Sequence, residues 1–355
     1  MSNTSSNSRD HGTVRSGQAL HAAGLVTAER ATEIAKVTEQ FSMAITEDMM
    51  GLIDPDDPND PIARQFVPDG KELDIRPEEL ADPIGDLPHT PVTGIVHRYP
   101  DRVLLKPVHV CPVYCRFCFR REVVGDGGIG LSPQELEGAL DYIRGNTDIW
   151  EVILTGGDPM ILPKAKLHHM IQALDQIDHV EVIRIHTRVP VVDPGRVDEE
   201  LAKILRVSKP VYVAIHTNHP KEFSPAACKA IATLADNGIP LVSQTVLLKG
   251  INDDPEILAR LFRTMVRNRI KPYYLHHGDM AKGTSHFRTT IQEGQAIMRE
   301  LRGRISGLCQ PSYILDIPGG QGKVPIGPNY LQKQENHSYY VEDPWAEVHP
   351  YPPEE

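Results

Sequence analysis

From position 103 onward, apolar and β-branched residues recur in short runs at 103–110, 150–154, 180–185, 210–215, 240–248, 272–275 and 313–317. Runs of this length and composition predict strands. Between them lie amphipathic stretches: SPQELEGALDYIRG, KAKLHHMIQALDQI, SPAACKAIATLADNG and DPEILARLFRTMVRN. Apolar positions returning every three or four residues predict helices with one buried face. Ser132, Ser224 and Asp254 open three of these stretches. Their side-chain oxygens suit N-caps, which satisfy the orphan N–H groups of a first turn.

Strands alternating with helices predict parallel βα units and an α/β fold. Over residues 101–330 we expect a partial or full (β/α) barrel, with an open doubly wound sheet as the alternative. In either architecture ligands gather at the carboxyl ends of the strands. Residues 18–100 read as a helical and extended N-terminal region, helix-like over 18–50 and rich in Pro and Asp thereafter. The polar start, 1–17, is expected to be a disordered tail, and the acidic, proline-rich end, 331–355, a surface tail. The run Asp54, Asp56, Asp57, Asp60 superficially resembles a calcium loop. It has Asn59 where the loop needs Gly and Gln65 where it needs Glu, so a solvated loop is expected.

Composition narrows the function. A net charge of -11 argues against generic nucleic-acid or anionic-lipid binding. No run approaches a membrane span, and the polar start lacks a signal-peptide core, so a cytoplasmic protein is expected. Five cysteines, three of them clustered, make no disulfide framework and point to metal or catalysis.

The cluster reads Cys111-Pro-Val-Tyr-Cys115-Arg-Phe-Cys118, just after the first expected barrel strand. Three thiolates can hold three irons of a cubane cluster and leave the fourth open to chemistry. A structural zinc site is the alternative, although CxxC pairs dominate such sites and no second pair exists. Further on, Thr155-Gly156-Gly157-Asp158 ends the next expected strand. Late in the chain stands Pro318-Gly319-Gly320-Gln321-Gly322-Lys323-Val324-Pro325. It is not a Walker A loop, because the first Gly and the Ser/Thr of that motif are missing. A lysine in a glycine-rich turn at a strand end suits attachment of pyridoxal phosphate.

The CxxxCxxC spacing resembles the signature of the radical S-adenosylmethionine superfamily. The ordered segments HRYPDRVLLK, CFRR, LTGGD, HTNHP, QTVLLKGIND, PYYLHHGD, HFRT, LRGRISGLC and LDIPGGQGKVP, spread over 45–345, resemble the lysine 2,3-aminomutase family. The resemblance implies a radical 1,2-amino shift converting L-lysine to β-lysine, with a [4Fe-4S] cluster, S-adenosylmethionine and pyridoxal phosphate. It implies Cys111, Cys115 and Cys118 as cluster ligands and Lys323 as the pyridoxal lysine. Arg98 and Arg102 would hold the cofactor phosphate. Gln244 would lie near both cofactors, and His216, Gly156, Gly157 and Asp158 near S-adenosylmethionine. Arg120 would take the substrate carboxylate, and Asp279 and Asp316 its ε-ammonium. A one-electron donor such as flavodoxin or ferredoxin would be a partner, and a homo-oligomer is a further expectation. An aminomutase of another amino acid, such as glutamate, would keep the cluster and Lys323 without the aspartate pair. Clostridial-type members carry a cysteine-rich C-terminal extension with structural zinc. The present chain resembles the shorter bacterial branch linked to modification of elongation factor P.

Overall fold

The computed structural model describes residues 12–125, 130–334 and 338–353. Nine strands form one sheet whose spatial order follows the sequence. They are β1 (Ile95–Tyr99), β2 (Arg102–Val108), β3 (Glu151–Gly156), β4 (Val182–Thr187), β5 (Val211–His216), β6 (Leu241–Val246), β7 (Ile270–His276), β8 (Ser312–Ile317) and β9 (Gly322–Pro325). Strands β2 to β8 run parallel, with Val152 opposite Ile183 and Val213 opposite Leu241. β1 and β9 are antiparallel hairpin partners added at the two ends.

Sequential order with no reversal is what a barrel requires and a doubly wound sheet forbids. The two ends come together without a ladder between β1 and β9 among the described residues. There the backbone N–H of Lys323 donates to the Tyr99 hydroxyl at 2.7 Å. Gly85, at φ +65°, lies so close to the backbone of Gly319–Gly320 that a Cβ would come within 2.4 Å of the Gly320 nitrogen.

The crossover helices form for the reasons their spacing gives. In Pro255–Arg267 the fully buried Leu258, Leu261, Phe262 and Met265 make one face, each contributing roughly 1.5–3 kcal/mol by leaving water. Ser132, Ser224 and Asp254 all cap as expected, Ser132 in a reciprocal box with Glu135. Helix Lys164–Asp175 begins at Pro163 without a side-chain cap.

Two helices, Gly17–Ala22 and Ala28–Thr38, lead into the Pro- and Asp-rich connector. Their Leu20 and Ile34 join Met49 and Phe66 in the barrel's own apolar core. The expected disordered tail lies partly outside the described residues. Its described part is anchored, since Val14 pairs with Ile45 through two backbone hydrogen bonds. The acidic run also departs from expectation at Asp60. That carboxylate is wholly buried, accepts from the N–H groups of Ile62 and Ala63, and pairs with Lys221. At the chain end, where a surface tail was expected, β10 (Leu331–Lys333), β11 (Tyr339–Glu342) and β12 (Val348–Tyr351) form a small antiparallel sheet. Proline and acidic content hid it, because edge strands tolerate both.

Candidate active site

A cavity of about 520 Å³ occupies the barrel. It runs from the cysteine loop at the carboxyl ends of the strands to Asp101, Arg102 and Trp150 at their amino ends. Every residue that the sequence nominated for a role lines it: the three clustered cysteines, Gly156, Gly157, Asp158, His216, Gln244, Arg98, Arg102, Arg120, Asp279, Asp316 and Lys323.

The cysteine loop follows β2 and is held from outside the barrel. Arg116, inside the motif, and Arg121, just after it, both donate to the buried Glu72 of the connector. The backbone N–H of Arg116 also donates to the Gln65 carbonyl at 2.9 Å. All five cysteines are free, and Cys228 and Cys309 are not among the residues lining the cavity. Burial pushes the Cys118 thiol up to about 11, and burial together with the Asp158 charge raises Cys111 well above the usual thiol value. Buried thiols of this kind become thiolates only beside a cation. Three cysteines converging on one cavity fit an iron cluster.

Gly156 and Gly157 bring the end of β3 against the strand beside it. A Cβ on Gly157 would lie 2.2 Å from the Val110 carbonyl oxygen. Asp158 spends its carboxylate inside the protein, accepting from the Thr187 hydroxyl at 2.7 Å and from the backbone N–H groups of Met160, Arg188 and Val189. It latches the end of β3 to the end of β4, and the two glycines are left as the cavity surface.

The cavity wall also carries a charged cluster. Asp86 accepts from Nε and Nη2 of Arg120, at 3.1 and 2.9 Å, and also meets Arg98 and Lys106. Burial opposes its ionisation, but Arg120, Lys106 and Arg98 outweigh it and hold the carboxyl below its usual range. Asp316 contacts the Lys323 ammonium and lies 3.6 Å from Arg98. Asp279 is pushed up to about 7 by burial and then by the Asp316 charge. Arg98 and Arg102, expected together on one phosphate, share no partner among the described contacts. Arg98 is drawn towards Asp86 and Asp316, whereas Arg102 pairs with Asp101 and stacks 3.7 Å over Tyr99.

Three imidazoles at or next to the carboxyl ends of β4, β5 and β7 line the cavity. Burial lowers His216 to about 3 and takes His186 and His276 well below their usual value, which favours the neutral imidazole at all three. Gln244 meets His186 at 3.3 Å. Several buried polar atoms of the wall lack a hydrogen-bond partner among the described residues, among them Nε2 of His216 and His276, Nε of Arg98 and Oδ1 of Asp316. Such atoms are costly unless a ligand or water meets them. This lining fits a polar cofactor and a zwitterionic substrate.

Sequence reasoning missed Asp86, Arg184, His186, Arg188 and His276. For Arg184 and His186 the signal was present. Alternate residues of VIRIHT are polar in an otherwise apolar strand, and period two sends both inward. Asp86 gave none, since it sits in an irregular connector.

The chain resembles known proteins in line with this geometry. The Radical SAM superfamily model matches residues 105–262, and a Lysine-2,3-aminomutase model matches 298–341. A protein of Aquifex aeolicus provisionally named L-lysine 2,3-aminomutase is 42% identical over 88% of this chain and 84% of its own. The chain belongs to the lysine 2,3-aminomutase family. The L-lysine 2,3-aminomutase of Clostridium subterminale is 40% identical over 87% of this chain and 74% of its own. The glutamate 2,3-aminomutase of Clostridioides difficile is 39% identical over 84% of this chain and 70% of its own. Membership makes this protein an isomerase, and the radical SAM match implies a [4Fe-4S] cluster and S-adenosylmethionine. Among the described residues no helix is long and apolar enough to cross a membrane.

Proposed function

We propose that this aminomutase acts on L-lysine and yields β-lysine. One observation carries the choice of substrate: Asp279 and Asp316 face the same cavity as Arg120. A guanidinium and two carboxyls in one cavity match a diamino acid, whose carboxylate would meet the first and whose distant ammonium the second. The glutamate-acting relative keeps a second reading open, but glutamate would bring a third carboxylate to the aspartate pair. Like charges so placed cost on the order of several kcal/mol.

Cys111, Cys115 and Cys118 would hold the cluster, and Lys323 would hold pyridoxal phosphate, its phosphate met by Arg98 and Arg102. Gly156, Gly157, His216 and Gln244 would line the S-adenosylmethionine side, with Asp158 acting through its latch. The cluster and S-adenosylmethionine supply a hydrogen-abstracting radical, and pyridoxal phosphate supplies the group on which the amino nitrogen migrates. The residues of this chain bind and orient. Arg120 takes the carboxylate, and the aspartates take the ε-ammonium. Together they fix the β-carbon at one place and exclude water from a reactive radical. A one-electron donor such as flavodoxin or ferredoxin would reduce the cluster. A cytoplasmic setting and a homo-oligomer complete the proposal.

The test is an anaerobic assay with L-lysine, L-glutamate and L-alanine, beside Asp316→Asn. Lysine should be preferred, and the variant should lose at least about tenfold in lysine turnover, a cautious share of the roughly 2–5 kcal/mol attached to a desolvated charge pair. Equal turnover of glutamate and lysine by the unmodified protein would overturn the lysine reading.

A further inference from the structure

Arg188 stands at the carboxyl end of β4 with a side chain only 6% exposed. Its Nη1 donates to the Cys115 sulfur at 2.8 Å. Its Nη2 donates to Gln65 Oε1 at 2.6 Å and to Glu222 Oε2 at 2.8 Å. The guanidinium lies 4.6 Å over the ring of Phe66 and 5.6 Å from that of Phe117. Glu222 is itself pinned, accepting from the backbone N–H groups of Asn218 and His219 and from the Gln65 amide. The head group is therefore held from three parts of the chain: the N-terminal region, the loop after β5 and the cysteine motif. No side-chain cation besides Arg188 hydrogen-bonds a clustered cysteine among the described contacts.

We infer that Arg188 is a positioning residue that donates a charge-assisted hydrogen bond to the cluster sulfur of Cys115 and raises the reduction potential of the cluster. Reduction adds one electron, and so one negative charge, to the iron–sulfur core. A donor and a positive charge at a ligating sulfur favour the more negative state. Glu222 partly offsets that charge and keeps the guanidinium from swinging away. The N-terminal region thereby acquires a role in the chemistry: Gln65 and Phe66 hold the group that tunes the cluster. The inference rests on the reading of Cys111, Cys115 and Cys118 as cluster ligands.

The test is a redox titration followed by electron paramagnetic resonance, with iron content measured on the same anaerobically reconstituted samples. Arg188→Gln should bind iron and shift the midpoint potential to more negative values. Arg188→Gln combined with Glu222→Gln removes the unpaired buried carboxylate. Its potential should fall between those of the single variant and the unmodified protein. Arg188→Lys keeps the charge and the Glu222 partner but cannot span both contacts. It should shift in the same direction by less, and it serves if the glutamine variants do not fold. A folded, iron-loaded Arg188→Lys or double variant with an unchanged potential would overturn the inference. So would an unchanged potential accompanied by weakened S-adenosylmethionine binding, which would assign Arg188 to that molecule. Cys115→Ala separates the underlying reading: a complete cluster in that variant would remove the cysteine assignment, whatever the potentials.

Discussion

Asp279 and Asp316 line one cavity with Lys323, and burial and the Asp316 charge together push the Asp279 carboxyl up to about 7. A bound ε-ammonium favours the ionised form, so below pH 7 binding must expel a proton. Apparent affinity for lysine should rise as pH increases towards about 7, by up to about tenfold per unit, and then level off. Calorimetry in buffers of different ionisation enthalpy should detect proton release at pH 6 and little at pH 8. Asp279→Asn should flatten the profile. The sign for folding is the reverse. A carboxyl raised on folding costs stability as pH climbs from its unfolded value of about 4 to about 7, with the loss complete above that.

Replacing Cys111, Cys115 or Cys118 with Ala should abolish cluster binding and turnover, since three thiolates are the minimum for an open-iron cubane. Cys228→Ala and Cys309→Ala should leave iron content largely intact, because neither lines the cavity. Iron and sulfide analysis after anaerobic reconstitution checks both. Dependence on Cys228 or Cys309 would favour a closed four-ligand site.

Lys323→Ala should lose the visible pyridoxal absorption and activity while keeping the cluster and S-adenosylmethionine binding. The cysteines follow β2, and Lys323 is the second residue of β9. An unchanged pyridoxal spectrum would move the attachment to another lysine.

Asp86→Asn should raise KM for lysine by roughly tenfold while leaving iron content and the pyridoxal spectrum unchanged. The variant weakens two charge-assisted hydrogen bonds that hold Arg120, and such bonds contribute roughly 1.5–3 kcal/mol each. Steady-state kinetics and absorption spectra check it. A normal KM would show that Arg120 holds its place without Asp86.

Local pattern determined much of this protein. Apolar runs and capped amphipathic stretches specify the parallel strands and their helices, because period and caps are properties of neighbouring residues. The cysteine spacing and the glycine-flanked lysine were legible for the same reason: a ligand loop and a turn are short-range objects. Tertiary structure alone decided the rest. β1 and β9 are too short and polar to announce themselves, and only closure of the barrel brings Tyr99 to Lys323. Asp86, in an unpatterned connector, becomes a hub because three cations on and beyond β1 converge on it. Arg188 reaches Cys115 across 73 positions of sequence. Charges so far apart in the chain meet only when the fold excludes the water that would otherwise screen them, and no local pattern records which partners they will find.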